Sequence, residues 1–289
     1  MYLLIRIFFF ISNRLSFMTL RRLGRAIGSL AYHVSSKRRN IARINCGIIG
    51  ADNCENVVKS SFRHSFATYA ESLYSHRIDE KFLESIELEN PHNVVVDRAV
   101  FIVSGHIGCW ELAPNAIVHK MNTKGAIIGR RLKNDKLDAF ITQQRTGENI
   151  AYLHHRNIAD RIPHILEDGY SIGALLDHSA TLRDSMFVPF FGLSTTFIKG
   201  LPMIAVRKDV PFLPAFLIRT EKSFKLVVYP MIYPDKSLKP KERIYDMALR
   251  TNQVYEDIIR KYPDQWYLIH KRFKKTLDKD GNVTECSYQ

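Results

Sequence analysis

Between positions 100 and 112 the chain reads VFIVSGHIGCWEL, and this stretch leaves few folds open. An apolar, β-prone run over 100–103 breaks at Ser104-Gly105, His106 follows at once, and the residues on to Lys120 suit a helix. Strand, tight turn and helix in that order predict a histidine at the mouth of the turn. Glu111 falls in the first helical turn on this reading, so the side chains of His106 and Glu111 can face each other. The same punctuation recurs along the chain. Strand signals at 94–96, 126–129, 150–153 and 171–176 are interleaved with helix signals at 135–145 and 157–167. Two more strands at 212–218 and 224–229 form a hairpin, and a long helix follows over 241–262. Such alternation predicts a single-domain α/β sandwich around a largely parallel sheet, with chemistry at the carboxyl ends of the strands, where His106 lies.

A chain of 289 residues with 46% hydrophobic content can bury a sizeable core, and its net charge of +13 calls for an anionic partner or surface. That charge is unevenly placed. No acidic residue occurs from Met1 to Ala51, whereas Arg6, Arg14, Arg21, Arg22, Arg25, Lys37, Arg38, Arg39 and Arg43 all do, among apolar residues. Residues 2–20 are too interrupted for a clear membrane span and lack the features of a cleaved leader. The expectation is a membrane-associating segment over 1–45, a basic amphipathic anchor on an anionic membrane surface, followed by a catalytic domain over 46–289. A soluble helix pair packed on the domain is the alternative. Cys46, Cys54, Cys109 and Cys286 form no CxxC pair and read as reduced thiols. His64 and His76 read as surface residues.

A neutral imidazole can take a proton from an alcohol, and a carboxylate on its other nitrogen fixes the tautomer. His106 and Glu111 have the residue types for this, with no obligatory nucleophile beside them. The attacking group would then be a substrate hydroxyl. Cys109 as a thiolate nucleophile is the rival mechanism. Spacing alone leaves a structural, helix-capping histidine equally open.

SGHIGCWEL resembles the acyltransfer motif of the late acyltransferases of lipid A biosynthesis, within the lysophospholipid acyltransferase superfamily. Further blocks agree in order: GRRLKND over 129–135, LLDHSA with FVPFFG over 175–192, and YPDQWYLIHKRFKK near the carboxyl end. The resemblance implies a glycerolipid-acyltransferase type of α/β fold at the cytoplasmic face of the inner membrane. It implies transfer of a fatty acyl chain from acyl carrier protein, or acyl-CoA, to a hydroxyl of a lipid A precursor. His106 becomes the general base and Glu111 its orienting partner, while Arg130, Asn134 and Asp177 become substrate-binding positions; Arg130 could also stabilise an oxyanion. Asp177 ends a buried strand, where it can orient polar groups or cap a turn. Phe190, Phe191 and Trp266 are candidates to line an acyl groove or to be core. His178 stands where the family has Gln, which bears on the acceptor or the acyl length. No metal or nucleotide motif appears, so neither a metal nor another cofactor is expected. Three alternatives stay open: the same chemistry on a lysophospholipid or other glycolipid, a basic nucleic-acid-binding protein, and a membrane-bound scaffold without catalysis.

Overall fold

The computed structural model describes Phe9 and residues 12–129, 131, 133–147, 149–154 and 158–288. Helices α1 (Phe17–Val34), α2 (Ser36–Ile48), α3 (Cys54–Ser72) and the short α4 (Glu80–Glu84) precede the first strand. The chain then runs β1 (Glu87–Glu89), β2 (Phe101–Ser104), α5 (Ala113–Lys120), β3 (Lys124–Gly129), α6 (Asp135–Arg145), β4 (Ile150–His154), α7 (Ile158–Glu167) and β5 (Tyr170–Leu175). It continues through β6 (Ser185–Phe190), β7 (Leu193–Ile198), α8 (Gly200–Lys208), β8 (Phe212–Arg219), β9 (Phe224–Val228), α9 (Pro240–Lys261), β10 (Lys275–Leu277) and β11 (Val283–Glu285). The main sheet has the order β1-β9-β8-β2-β5-β3-β4. From β8 to β4 it is parallel, as the alternation predicts, and the β8–β9 hairpin reverses direction at one side. Residues alternate between its faces: Phe101, Val103 and Ile172 enter the larger core with α9, while Ile102, Leu213 and Leu217 enter a smaller core under α5.

One local expectation changes, and one hairpin was not foreseen. Residues 94–96 are not a strand, because the Asn90 side chain accepts the Val94 N–H at 2.9 Å and donates to its carbonyl at 2.9 Å. Those backbone groups are satisfied without a sheet neighbour. The residues between 185 and 198 form a β6–β7 hairpin in a second, antiparallel sheet of order β11-β10-β7-β6. Its two-residue turn, Phe191-Gly192, has φ of 48° and 75°, as hairpin turns matching the strand twist require.

The amino-terminal helices belong to the folded body. Gly24 and Gly28 of α1 lie directly on the α3 backbone, where a Cβ would meet Ala67 Cα at 2.7 Å and the Phe62 carbonyl at 2.5 Å. Only hydrogen at these positions lets the two helices approach so closely. Cys46, near the end of α2, and Cys54, opening α3, are joined in a disulfide with Cα atoms 5.8 Å apart. This corrects the expectation of four thiols: Cys109 and Cys286 are the free cysteines among the described residues. No described helix is long and apolar enough to cross a membrane. Most of the apolar leader, 1–8 with 10 and 11, lies outside the described residues.

Candidate active site

The turn after β2 is held between β8 and the segment after α9. Gly108 has φ +60°, and a Cβ there would lie 2.1 Å from the Leu217 carbonyl of β8, so the tight passage beside that strand demands glycine. The Cys109 N–H donates to that same carbonyl at 2.8 Å. The segment after α9 clamps the other side: Gly108 N–H donates to the Gln265 carbonyl at 3.0 Å, and Tyr267 N–H to the His106 carbonyl at 2.8 Å. The terminal YPDQWYLIH block therefore works as a brace for the histidine turn.

β2 and β5 are parallel neighbours with Ser104 opposite Leu175, and continuing that register by two residues brings position 106 level with 177. Asp177 is 1% exposed, and its carboxylate accepts three hydrogen bonds. Oδ1 takes His106 Nδ1–H at 2.8 Å; Oδ2 takes the His106 backbone N–H at 2.8 Å and Trp266 Nε1–H at 3.0 Å. Burial alone would push this carboxyl up, but the His106 charge and the bonds from His106 and Trp266 outweigh it and hold the acid well below the usual carboxylate range. Burial lowers His106 in turn, yet the Asp177 charge and hydrogen bond, with a smaller contribution from Glu111, raise it above its ordinary value. A proton on Nδ1, facing Asp177, leaves the Nε2 lone pair as the basic site.

This geometry puts Asp177 rather than the expected Glu111 on His106 Nδ1, and sets Asp177 behind the histidine, where it orients a polar group as its position at a strand end allows. Glu111 is not in a helical turn: it sits in the turn before α5, which begins at Ala113. Its two oxygens accept from Arg145 Nη2 at 3.3 and 3.0 Å, and its link to His106 is through charge. Arg145, at the end of α6, was not legible as a site residue. Asn134 caps that helix, its Oδ1 accepting the Leu137 N–H at 3.0 Å. Arg130 lies outside the described residues.

His106, Glu111 and Arg145 form one polar flank of a cavity of about 540 Å³. The rest is mainly apolar, with Ile102, Ile117, Val118, Ile127 and Phe140 in its walls, between α5 and the sheet. Pockets of this size bury small-molecule groups, and an apolar lining suits a hydrocarbon chain. His178 stands at the cavity, its Nδ1 within 3.1 Å of the Leu175 carbonyl. Phe190 and Trp266 are fully buried in the larger core and do not line the cavity. Cys109 is also fully buried; burial and the nearby Glu71 charge push its thiol well above the ordinary value, opposing thiolate attack.

Beneath the turn lies a buried ion triad. Glu71 of α3 accepts from Arg21 Nε of α1 at 2.6 Å and from Arg219 Nε of β8 at 2.9 Å. Arg219 also donates to Thr68 Oγ1, which donates to the Gly108 carbonyl at 3.0 Å. The network thus ties the first helix to the histidine turn. His64, expected at the surface, instead has a side chain only 12% exposed and 3.5 Å from Asp264. His76 is exposed as expected.

Comparisons with known proteins show the family to which the chain belongs. The profile of a family described as bacterial lipid A biosynthesis acyltransferase matches residues 1–275. The chain is similar to the lipid A biosynthesis lauroyltransferase of Escherichia coli (strain K12), at 23% identity over 273 residues, covering 90% of this chain and 87% of that protein. Among solved structures, the 1-acyl-sn-glycerophosphate (LPA) acyltransferase PlsC from Thermotoga maritima matches with a TM-score of 0.37 and 14% identity, covering 82% of this chain and 96% of that one.

Proposed function

Because the chain belongs to the bacterial lipid A biosynthesis acyltransferase family, we propose that it moves a fatty acyl chain from an acyl carrier protein thioester, or acyl-CoA, to a hydroxyl of a lipid A precursor. That it is an acyltransferase acting on a lipid follows from the family itself. The observation that carries the finer reading is His106, held by buried Asp177 with Nε2 as its basic nitrogen, at the polar flank of an apolar cavity.

His106 Nε2 accepts the proton of the acceptor hydroxyl as its oxygen attacks the thioester carbonyl carbon. The tetrahedral oxyanion collapses, the carbon–sulfur bond breaks, and the leaving thiolate takes the proton from the imidazolium. Ester and free thiol are the products, no acyl-enzyme forms, and the mechanism requires no metal or other cofactor. Asp177 orients the base and stabilises its cation. Glu111 adds negative charge near it while anchoring Arg145. Arg130 is assigned to the oxyanion or to the acceptor through the family block, and Asn134 acts at one remove, by capping the helix that ends in Arg145.

The reading places the protein on the cytoplasmic face of the inner membrane. Support comes from α1, whose exposed side carries Leu23, Ile27, Leu30 and Val34 at helical spacing, with the cationic Arg22 and Arg25 on the same helix. A panel of acyl carrier protein and coenzyme A thioesters, offered with a lipid A precursor and several lysophospholipids, tests donor and acceptor by product mass. One acyl chain added to the lipid A precursor is expected. Addition only to a lysophospholipid would replace the acceptor.

A further inference from the structure

The cavity face of the sheet carries one gap. Across the strands the register sets Ile102 of β2, Gly173 of β5, Ile127 of β3 and Tyr152 of β4 in a single row. Three members are large, and the glycine between Ile102 and Ile127 leaves a trough. A Cβ built on Gly173 would meet only the Ala126 carbonyl, at an ordinary 3.8 Å, so a side chain there would enter cavity space. Two residues deeper, about 7 Å along the strands, Gly125 lies opposite Ser171. That glycine is already covered: a Cβ on it would come within 2.8 Å of Val118 Cγ2 from α5. His106 and Glu111 stand at the other end, beyond the carboxyl ends of the strands.

We infer that Gly173 and Val118 set the acyl-chain length this protein accepts, Gly173 by leaving the channel open at mid-depth and Val118 by closing its floor. The inference rests on the acyltransferase reading above. Gly173 needs no positive φ and lies within a strand, where glycine is a weak choice unless something must approach the backbone closely. A hydrocarbon chain crossing the trough between Ile102 and Ile127 is such a group. Each methylene that an apolar pocket loses or gains is worth roughly 10-fold in discrimination.

The test offers the full-length protein an equimolar series of acyl thioesters from octanoyl to palmitoyl and reads the chain lengths in the lipid product. Gly173→Leu should shift the preferred chain shorter, lowering the long-to-short product ratio at least about tenfold while the shortest donors are still used. Val118→Ala should shift it longer, and Gly173→Ala should fall between the unaltered protein and Gly173→Leu. The opposite directions separate a length effect from damage to the fold, which would depress all donors alike. An unchanged profile in both Gly173→Leu and Val118→Ala overturns the inference and leaves the acyltransferase reading standing. Absence of transfer by the unaltered protein from every thioester overturns that reading, and the inference with it.

Discussion

Replacing Asp177 by Asn tests the arrangement at His106, because the substitution changes which ring nitrogen is basic while leaving the shape intact. Two N–H donors, from the His106 backbone and Trp266, converge on Oδ2. An asparagine that pointed its NH₂ at them would leave two buried donors unpaired, a penalty of about 1–3 kcal/mol each. Its amide will therefore keep oxygen at that position and turn NH₂ toward His106 Nδ1. Nδ1 must then accept, the ring proton moves to Nε2, and the nitrogen facing the acceptor hydroxyl can no longer take a proton. Together with the lost negative charge, this should lower kcat by about 10³–10⁴, on the order of 4–5 kcal/mol of transition-state stabilisation. KM should change little, because Asp177 does not line the cavity. Single-turnover transfer from a labelled thioester reads the effect, with circular dichroism confirming the fold. A kcat within tenfold of the unaltered protein would refute the argument, as would a larger loss in Glu111→Gln than in Asp177→Asn.

Three other outcomes follow from the same geometry. As the proposed general base His106 must be neutral to act, and its pKa is raised above the ordinary 6.5 by Asp177 against the opposing effect of burial. So kcat/KM should rise with pH with a midpoint above 6.5, and an acid limb centred below 6.5 would contradict the pairing. Glu71→Gln leaves Arg21 and Arg219 buried beside an uncharged amide, and breaking a buried ion network of this kind costs about 3–5 kcal/mol, readable in urea unfolding; a cost under about 1 kcal/mol would show the triad to be marginal. Changing Leu23, Ile27, Leu30 and Val34 together to Gln removes exposed apolar surface without touching the α3 contact, so cosedimentation with anionic liposomes should fall while melting temperature holds; unchanged cosedimentation would remove α1 as the membrane face.

Legibility in the sequence followed the range of the physics involved. Period-two and helical apolar patterns are local, so the strands around 101, 126, 150 and 172 and the helices around 140 and 250 stand close to where the spacing puts them. The position of His106 after β2 was legible for the same reason. Its partner was not. Asp177 lies 71 residues downstream and reaches His106 because β2 and β5 are adjacent in the sheet, an order that periodicity does not encode. Glu111 looked like the partner because it is near in sequence, but the turn continues to Leu112 before the helix starts and leaves its carboxylate to Arg145. β1 was missed since its residues, Glu87–Glu89, are mostly charged at a sheet edge. The Cys46–Cys54 bond depended on how α2 meets α3, a tertiary fact. The family blocks reached further than spacing could, and the YPDQWYLIH block gains its physical meaning from the brace it makes on the histidine turn.

The proposed function rests on one step, transfer directed by His106 from a thioester straight to a lipid hydroxyl. Its most direct test is the mass of the lipid A precursor after incubation with an acyl carrier protein thioester, measured for the unaltered protein and for His106→Ala shown to be folded. One added acyl chain is expected with the unaltered protein, with no acylated protein at any time and loss of transfer in the variant. Full transfer by His106→Ala, or an acyl group trapped on the protein, would contradict that step.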